Sequence, residues 1–447
     1  MNWMSSVRWA AGLALSSLLF LGSLFAVDRL AARYDLDYLP ARGRPNEDQM
    51  LNRPEFSVRV VNNALGFREP RLPSPKPPHT IRIVCLGDSF TQGYGVTEEQ
   101  AWPRRLEALL NARDPSQRYE VINLGVPGTS PRDQIGHLRS PGLAYHPDVV
   151  LEDVMANDVD DVLTQRRFGV QFGAGALREV QQELVDDRPR WRTLPRQLWP
   201  SLYTLAWNSA QNFHWLHSGP PAAAAAAGSA GGGHGLRVPP ERWRDVVLAL
   251  AERVGDREAT AAALDRLDQS EVQGLLPVLT GAVPLDSPEA VDPYMRVIAL
   301  AEPRLYADAV LLPPTYDEAW AATAGYLRRI ITTAERAHAR PVIAFLPASH
   351  QVTPAARPAL ESLGFVWDPR TLVDTTLADR VGSVAQAAGV PFVDLLPVMR
   401  RNADRPIYFL RDGHWTPEGH ALAAAALVDT VAAASRPDGA HDSPSRQ

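Results

Sequence analysis

The chain is poor in cysteine and, among its basic residues, in lysine. Cys85 is the single cysteine of the 447 residues, which excludes intrachain disulfides, cysteine-rich zinc sites and CxxC redox chemistry. It lies in the apolar run Ile81–Leu86, which predicts a buried thiol. Lys76 is the single lysine among 45 basic residues, and this arginine usage is typical of a GC-rich genome rather than of a binding surface.

A positive net charge is also absent. The 45 Lys and Arg against 51 Asp and Glu give a formal net charge of −6. Because phosphate contacts need clustered basic side chains, nucleic acid is not an expected partner. With 45% hydrophobic and 21% charged residues the composition is that of a globular protein, and the length suggests two or three domains.

Charge is missing from residues 9–27, a run dense in Leu, Ala, Phe and Ser. Its 19 residues nearly reach the roughly 20 that a helix needs to cross the hydrocarbon layer. We therefore expect an N-terminal transmembrane helix, a signal anchor over residues 1–33, with the bulk of the chain in the periplasm or outside the cell. A cleaved signal peptide and a buried soluble helix are the alternatives. The flanking arginines do not decide orientation, because both sides carry them.

Residues 34–80 are rich in Pro, Arg and Asn, and we interpret them as an extracytoplasmic stalk. After them, short apolar runs alternate with helical patterns, which is typical of a parallel sheet with right-handed crossovers. The predicted strands are Ile81–Leu86, Tyr119–Leu124, Val149–Met155, Pro341–Leu346 and Pro391–Leu395, and the predicted helices are Trp102–Ala112, Arg132–Ser140, Ala319–Ala339, Asp374–Ala388 and Pro417–Ala434.

The alternation stops between residues 164 and 313. This stretch contains a low-complexity connector at 222–233 and helical segments at Trp243–Val254 and Ala259–Leu267. We interpret it as a partly helical insertion. It divides the α/β domain into a first part, 81–163, and a second part, 314–434, and residues 435–447 are expected to be a disordered tail.

Polar residues follow the predicted strands, where an open parallel sheet binds its ligands. Ser89 comes after the first strand, Gly128 after the second and Asn157 after the third, while Asp412 and His414 lie near the C-terminus. A serine hydroxyl is a weak nucleophile that needs a base to take its proton. Imidazole, with an unperturbed pKa of about 6.5, suits that task.

Together these five residues allow acyl transfer through a serine. We predict Ser89 as the nucleophile, His414 as its base and Asp412 as the carboxylate that orients the imidazole. The expected oxyanion donors are the backbone N–H groups of Ser89 and Gly128 and the side-chain amide of Asn157. Gly128 should be small so that its backbone can approach the substrate.

Four blocks in this order resemble the SGNH (GDSL-type) hydrolase family. They are Gly87–Gly93, Asn123–Gly128, Asn157-Asp158 and Asp412–Gly419. The resemblance covers about residues 85–165 and 315–433. It implies a flavodoxin-like three-layer α/β sandwich with a central parallel sheet, ester or acyl-transfer chemistry, and neither a metal nor a cofactor.

Two positions depart from the family pattern. Ala156 stands where the family has a glycine before the Asn-Asp pair, a small change that should be tolerated. The usual Asp-x-x-His spacing is shortened to Asp412-Gly413-His414, followed by Trp415. This Asp-x-His-Trp block resembles the bacterial alginate O-acetyltransferase branch of the superfamily, so the resemblance implies acyl transfer as well as hydrolysis.

The function that we expect is a membrane-anchored serine esterase or O-acyltransferase. Its substrate would be a small acyl ester or an O-acylated glycan, with acetyl groups of a cell-envelope glycan preferred by analogy with the branch. A non-catalytic envelope scaffold that retains the fold is the alternative, and the shortened Asp-x-His spacing favours it.

A metal-dependent phosphoesterase is a third reading, but the sequence lacks ligand clusters for it. Five acidic residues do lie close together in sequence near the site, and a metal site there is the alternative to a solvated edge. We expect that cluster to be a solvated edge, since no histidine accompanies it at ligand spacing. Asp88 is expected to hydrogen-bond the turn rather than to act chemically, and His420 to lie at the surface. The clustered acids are Glu152, Asp153, Asp158, Asp160 and Asp161.

Overall fold

The computed structural model of the chain comprises two compact units. The first consists of Met1–Leu39 and Val185–Leu236, and the second of Pro40–Leu184 and Arg237–Gln447. The predicted connector at 222–233 and most of the predicted tail, 437–447, lie outside the described residues. The structure describes residues 3–33, 38, 40–168, 174–185, 198–199, 201–202, 237–254, 257–283 and 290–436.

Helix α1, Trp3–Arg33, belongs to the first unit. Its buried Asp28 pairs with Arg29 and accepts a hydrogen bond from the backbone N–H of Leu202 at 2.9 Å, which ties the helix to that segment. Within the described residues, no helix combines the length and the apolar character needed to cross a membrane. The structure therefore gives no support to the membrane anchor predicted for residues 1–33.

The second unit contains seven described strands. β1 and β2 form an antiparallel hairpin, and β3 to β7 form a parallel sheet in the order β4-β3-β5-β6-β7. This is the 2-1-3-4-5 order of a flavodoxin-like sheet, as the resemblance implied. The five predicted strands are confirmed. The strands are β1 Asp48–Arg53, β2 Phe56–Val61, β3 Thr80–Leu86, β4 Arg118–Asn123, β5 Val149–Val154, β6 Arg340–Phe345 and β7 Phe392–Asp394.

Helices pack on both faces of the sheet, so the second unit has three layers. Leu106 and Leu427 belong to the core on one face, and Ile135 and Ile330 to the core on the other. The further helices are α2 Ser89–Gln92, α3 Trp102–Arg113, α4 Pro131–Arg139, α5 Ala156–Phe168, α6 Ala174–Val185, α7 Trp243–Val254, α8 Arg257–Leu264, α9 Gln269–Leu279, α10 Val291–Ala301, α11 Leu305–Leu311, α12 Asp317–Arg336, α13 Ser349–Val352, α14 Arg357–Leu363, α15 Thr376–Ala388, α16 Leu396–Arg401 and α17 Pro417–Ala434.

Alternate residues of the central strand enter the two cores. Ile83 and Cys85 of β3 join one apolar cluster, and Val84 and Leu86 join the other. All four are fully buried, because a parallel strand covered on both faces reads as a continuous apolar run. The thiol of Cys85 is buried in the core, as predicted.

The segment predicted as a stalk is different in the structure. From Pro40 onward it belongs to the second unit and contains the β1–β2 hairpin. Arg68 is buried, and its guanidinium donates to the backbone carbonyl oxygens of Gly93 at 2.7 Å and Val96 at 2.9 Å. Because these bonds satisfy a buried cation close to α2, residues 40–80 are folded onto the sheet rather than extended away from it.

The segment predicted as an insertion is divided between the two units. Residues 185–236 belong to the first unit, whereas α7 to α11 belong to the second, together with the sheet. The helix at Trp243–Val254 has the predicted bounds, and the next helix lies at Arg257–Leu264. The second half of the insertion therefore helps to build the sheet-containing unit.

Candidate active site

The blocks that carry the predicted site meet at the carboxyl edge of the sheet. Ser89 begins α2 directly after β3, Gly128 lies in the loop after β4, and Asn157 lies in the first turn of α5 after β5. Asp412 and His414 lie in the loop before α17. All five line a single cleft of about 460 Å³.

His414 connects the predicted nucleophile to the predicted carboxylate. Its Nε2 lies 2.7 Å from the Oγ of Ser89, and its Nδ1 lies 2.5 Å from the Oδ1 of Asp412. When Nδ1–H donates to Asp412, Nε2 keeps a lone pair that can accept the serine proton. Both distances are within or just below the usual range for a working general base. The structure thus brings these three residues together over 325 positions of sequence.

Two aromatic rings flank the imidazole of His414. The ring centroid of Phe90 is 4.8 Å from it, and that of Tyr94 is 4.6 Å from it. The side chains of His414 and Asp412 are only 22% and 17% exposed. This packing restricts the rotamers of the imidazole and keeps Nε2 directed at Ser89.

The charges around His414 favour its protonated form. Burial on its own lowers the pKa of His414, but the charge of Asp412, its hydrogen bond and the charge of Asp88 together raise that pKa above the ordinary value. For Asp412 burial acts to raise the pKa, but the charge of His414, the hydrogen bonds from its side chain and backbone, and the charge of Arg53 together lower that pKa below its usual value. The pair is therefore well suited to hold a proton on the imidazole for part of a reaction.

We predict that the pH profile of catalysis reflects this raised pKa. The imidazole accepts the serine proton only when it is neutral, so kcat/KM should rise with pH through the pKa of the free enzyme and then level off. Its inflection should lie above the ordinary histidine value of about 6.5. Initial rates on p-nitrophenyl acetate, corrected for hydrolysis without enzyme, measure it. An inflection below the ordinary value contradicts the electrostatic argument.

Two residues that line the cleft have backbone N–H groups without a competing acceptor among the described residues. In the described part of the chain, no group accepts a hydrogen bond from the N–H of Ser89 or of Gly128. Gly128 has a φ of +69°, and a Cβ added to it would meet nothing within 4 Å. Its left-handed backbone therefore requires glycine, in addition to the close approach that the sequence suggested.

The side-chain amide of Asn157 is already engaged. Its Nδ2 donates to Oδ2 of Asp88 at 3.1 Å and to Oδ2 of Asp161 at 3.2 Å. These two bonds use both hydrogens of the amide. Asn157 lines the cleft as predicted, but it can serve an oxyanion only if one of the two carboxyl groups gives up its bond. Its role as a donor stays a prediction.

Asp88 shapes the turn that presents Ser89. Its Oδ1 accepts a hydrogen bond from the N–H of Phe90 at 2.8 Å, which confirms the structural role expected for it. The preceding Gly87 is required by packing, since a Cβ there would lie 2.2 Å from the carboxyl group of Asp153. The glycine therefore leaves room for the buried side chain of Asp153, just before the turn that carries Ser89.

Four of the five clustered acids are buried and Asp160 is half-buried, so the prediction of a solvated edge is wrong. Glu152, Asp153, Asp158 and Asp161 are at most 3% exposed, because β5 is a central strand and α5 packs onto the sheet. Burial raises the pKa of each of these carboxyl groups well above its usual value, which favours neutral acids. Among the side chains that the structure describes, no group of three or more His, Cys, Asp or Glu residues is placed to hold a metal ion.

Sequence reasoning missed residues that line the cleft from two other segments. Arg53 and Glu55 come from the tip of the β1–β2 hairpin, and Tyr294 and Tyr306 come from α10 and α11. The apolar-polar alternation of Phe56–Val61 was the available signal for the hairpin. No motif marks the two tyrosines, because helical insertions carry no fixed spacing relative to the site.

Two family models match the chain. The GDSL-like lipase/acylhydrolase family matches residues 85–267, and the SGNH hydrolase-like domain of acetyltransferase AlgX matches residues 305–447. The first range contains Ser89, Gly128 and Asn157, and the second contains Asp412 and His414. The contact between Ser89 and His414 therefore joins the two matched segments.

Solved structures and one curated protein also show similarity. The alpha/beta hydrolase LAE5 from the metagenome of Lake Arreo, Spain, is 12% identical, with 80% of this chain and 97% of that chain covered and a TM-score of 0.32. The acetyl xylan esterase AlAXEase is 10% identical, with 78% and 100% covered and a TM-score of 0.35. Protein transport protein Sec31A of Rattus norvegicus is 26% identical over 132 residues, which is 29% of this chain and only 9% of that protein's length. These three similarities do not indicate the activity of this chain.

The two matched segments follow each other along the chain in the same order as the blocks that line the cleft. The Gly87–Gly93 block lies in the GDSL-like segment, and the Asp412-Gly413-His414-Trp415 block lies in the AlgX-like segment. The chain is a member of the SGNH hydrolase superfamily, an enzyme of the GDSL-like class whose C-terminal segment matches the alginate O-acetyltransferase-like branch.

Proposed function

We propose that this enzyme cleaves or transfers acetyl esters through a Ser89–His414–Asp412 triad. The observation that carries the proposal is the unbroken contact from Asp412 Oδ1 through the imidazole to Ser89 Oγ, at 2.5 and 2.7 Å. An alcohol in contact with an oriented imidazole is the arrangement that acyl transfer through serine needs. A scaffold without activity has no need of this contact.

The first half-reaction acylates Ser89. Its Oγ attacks the carbonyl carbon of the ester, and its proton passes to Nε2 of His414. The carbonyl oxygen becomes an oxyanion beside the N–H groups of Ser89 and Gly128. When the intermediate collapses, His414 gives the proton to the departing alcohol oxygen, and the acyl group stays on Ser89 as an ester.

The second half-reaction moves the acyl group to water or to another alcohol. His414 takes the proton of the acceptor, whose oxygen attacks the acyl carbon, and Ser89 Oγ leaves with that proton. The same groups serve both acceptors. The match of residues 305–447 to an acetyltransferase domain supports transfer as the second outcome beside hydrolysis.

A glycan that carries O-acetyl groups is the substrate that we propose. An acetyl group has one polar atom, its carbonyl oxygen. The N–H groups of Ser89 and Gly128 are the proposed hydrogen-bond donors to that oxygen. The hydroxyl of Tyr294 and Nε2 of His350 belong to residues that line the cleft, and both atoms are buried with no hydrogen-bond partner in the described protein. Buried polar atoms of this kind favour a partner with several hydroxyl groups, as in a sugar.

We also propose that the enzyme acts in the cell envelope, outside the cytoplasm. The support for this is the uncharged sequence from Trp9 to Val27, preceded by Arg8, which is typical of an export signal, cleaved or retained. Fractionation followed by protease treatment of spheroplasts tests the location. Protection of the enzyme from external protease contradicts it.

Trapping the acyl-enzyme tests the proposed chemistry. Rapid acid quench after mixing with p-nitrophenyl acetate should leave one acetyl group on the peptide that contains Ser89, seen by mass spectrometry. Adding an acetylatable oligosaccharide should then divert acetyl from free acetate to the sugar. If the sugar stays unmodified while acetate forms at an unchanged rate, the enzyme is a hydrolase.

The same assay separates the alternatives. A folded wild type that neither turns over esters nor takes up acetyl supports the scaffold. Loss of activity in chelator, restored by a divalent cation, supports the metal-dependent phosphoesterase. A serine esterase keeps its rate in chelator because none of the groups in the steps above is a metal ligand.

A further inference from the structure

The tip of the β1–β2 hairpin contacts the loop that carries the base. The register pairs Arg53 with Phe56, so Pro54 and Glu55 form a two-residue turn. The Oε2 of Glu55 accepts hydrogen bonds from the backbone N–H groups of Arg411 at 3.0 Å and Asp412 at 2.8 Å. One carboxylate oxygen thus holds two successive N–H groups at the start of the Asp-x-His block.

The loop itself is a tight turn, and the hydrogen bonds within it do not use the N–H groups of Arg411 and Asp412. The N–H of Phe409 donates to the carbonyl oxygen of His414 at 2.8 Å, and the N–H of Gly413 donates to that of Phe409 at 2.7 Å. Gly413 has a φ of +90°, a conformation that favours glycine. The backbone of Asp412 is therefore fixed from two sides, by the turn and by the hairpin.

The same hairpin also supports the aromatic wall beside the imidazole. The ring of Phe56 lies 5.6 Å from that of Tyr94 and 5.0 Å from that of Phe409. Burial raises the pKa of Tyr94, whose ring contacts His414, and the charge of Arg53 acts against that rise. The tip of the hairpin thus contacts the Asp412–His414 loop through Glu55 and the aromatic wall of the site through Phe56.

We propose that Glu55 is a positioning residue for the Asp412–His414 pair. By holding the backbone of Asp412, it directs Oδ1 onto Nδ1 of a histidine only two positions away. A side chain from the hairpin, remote in sequence, thereby stabilises the geometry of the shortened Asp-x-His spacing. The inference rests on the proposed function, since it assigns a role within that triad.

Two substitutions at one position test the proposal. Glu55→Ala removes the acceptor and should lower kcat on p-nitrophenyl acetate by about tenfold to hundredfold, with KM within about twofold, because small misplacements of reacting groups are costly. Glu55→Gln keeps an amide oxygen that can accept the N–H groups, so it should recover most of the rate. Asp48→Ala is the matched control, since Asp48 lies on the same hairpin in an exposed ion pair with Arg59 and should leave kcat unchanged.

A second readout separates this inference from the function on which it rests. The proton between Nδ1 of His414 and Asp412 should give a strongly downfield NMR resonance in the wild type and in Glu55→Gln, and Glu55→Ala should weaken or shift it. If the wild type is inactive but the resonance is weakened or shifted only in Glu55→Ala, the proposed function is wrong and the positioning role of Glu55 stands. An active wild type with unchanged kcat and resonance in Glu55→Ala overturns the positioning role. So does an equal loss of kcat in Asp48→Ala with a lowered melting temperature, because the hairpin then acts through stability alone.

Discussion

Replacing Ser89 with alanine is expected to lower kcat on p-nitrophenyl acetate by about 10⁴- to 10⁶-fold. The variant keeps the N–H of residue 89 and that of Gly128, so it still polarises the carbonyl, but it has no oxygen to form the acyl-enzyme. Water would have to attack directly with help from His414. Labelling by a fluorophosphonate should disappear altogether, since that reagent bonds to the activated oxygen.

Controls for this variant must separate chemistry from folding. Ser89 is 8% exposed, and losing one hydroxyl from a residue at the start of α2 should change the melting temperature little. Ser349 also lines the cleft and is the alternative nucleophile. If Ser349→Ala loses label and turnover while Ser89→Ala keeps both, the assignment of the nucleophile is wrong.

The sheet could be predicted because its strands are buried on both faces. A run such as Ile81–Leu86 has no polar residue except Arg82, whose buried guanidinium pairs with Glu120 at 2.8 Å. The carboxyl ends of parallel strands converge on one edge, so a serine, a glycine and an asparagine after three strands could be placed in one cleft before any distance was known. His414 lies in the loop before α17 and follows no strand of the sheet, so its contact with Ser89 did not follow from that convergence.

Contacts made by side chains far apart in sequence could not be predicted in this way. His420 was expected at the surface, but it is 1% exposed, and its Nδ1 accepts a hydrogen bond from the N–H of Trp102 at 3.2 Å. Burial lowers its pKa to about 3, so the ring stays neutral and can act as an acceptor. No periodicity indicates such a contact, because it depends on how α3 and α17 pack.

The acidic residues of β5 and α5 show a second limit of sequence patterns. A solvated edge was predicted because no histidine accompanies these acids at ligand spacing, and that criterion says nothing about burial. In the fold, Asp153 accepts a hydrogen bond from Thr91, and Asp161 holds Asn157. The sequence could not show that these acids are buried beneath the site, where they determine how the amide of Asn157 is held.

Replacing Asp412 with asparagine should have the second largest effect on the rate, about a 10⁴-fold fall in kcat. The carboxylate accepts Nδ1–H of His414 and leaves Nε2 free to take the proton of Ser89. An amide can instead donate to Nδ1, which stabilises the tautomer with hydrogen on Nε2, and that tautomer cannot act as the base. Removing the negative charge also withdraws stabilisation from the imidazolium.

The pH profile of Asp412→Asn provides an independent check of this argument. Since the charge of Asp412 and its hydrogen bond raise the pKa of His414 against the effect of burial, their loss should move the inflection of the residual activity to lower pH than in the wild type. Asp404→Asn removes one negative charge from an exposed position in the same region and should keep both the rate and the inflection. If Asp412→Asn retains the wild-type rate and profile, another carboxyl group orients the imidazole, and Asp88, whose charge also raises the pKa of His414, becomes the candidate.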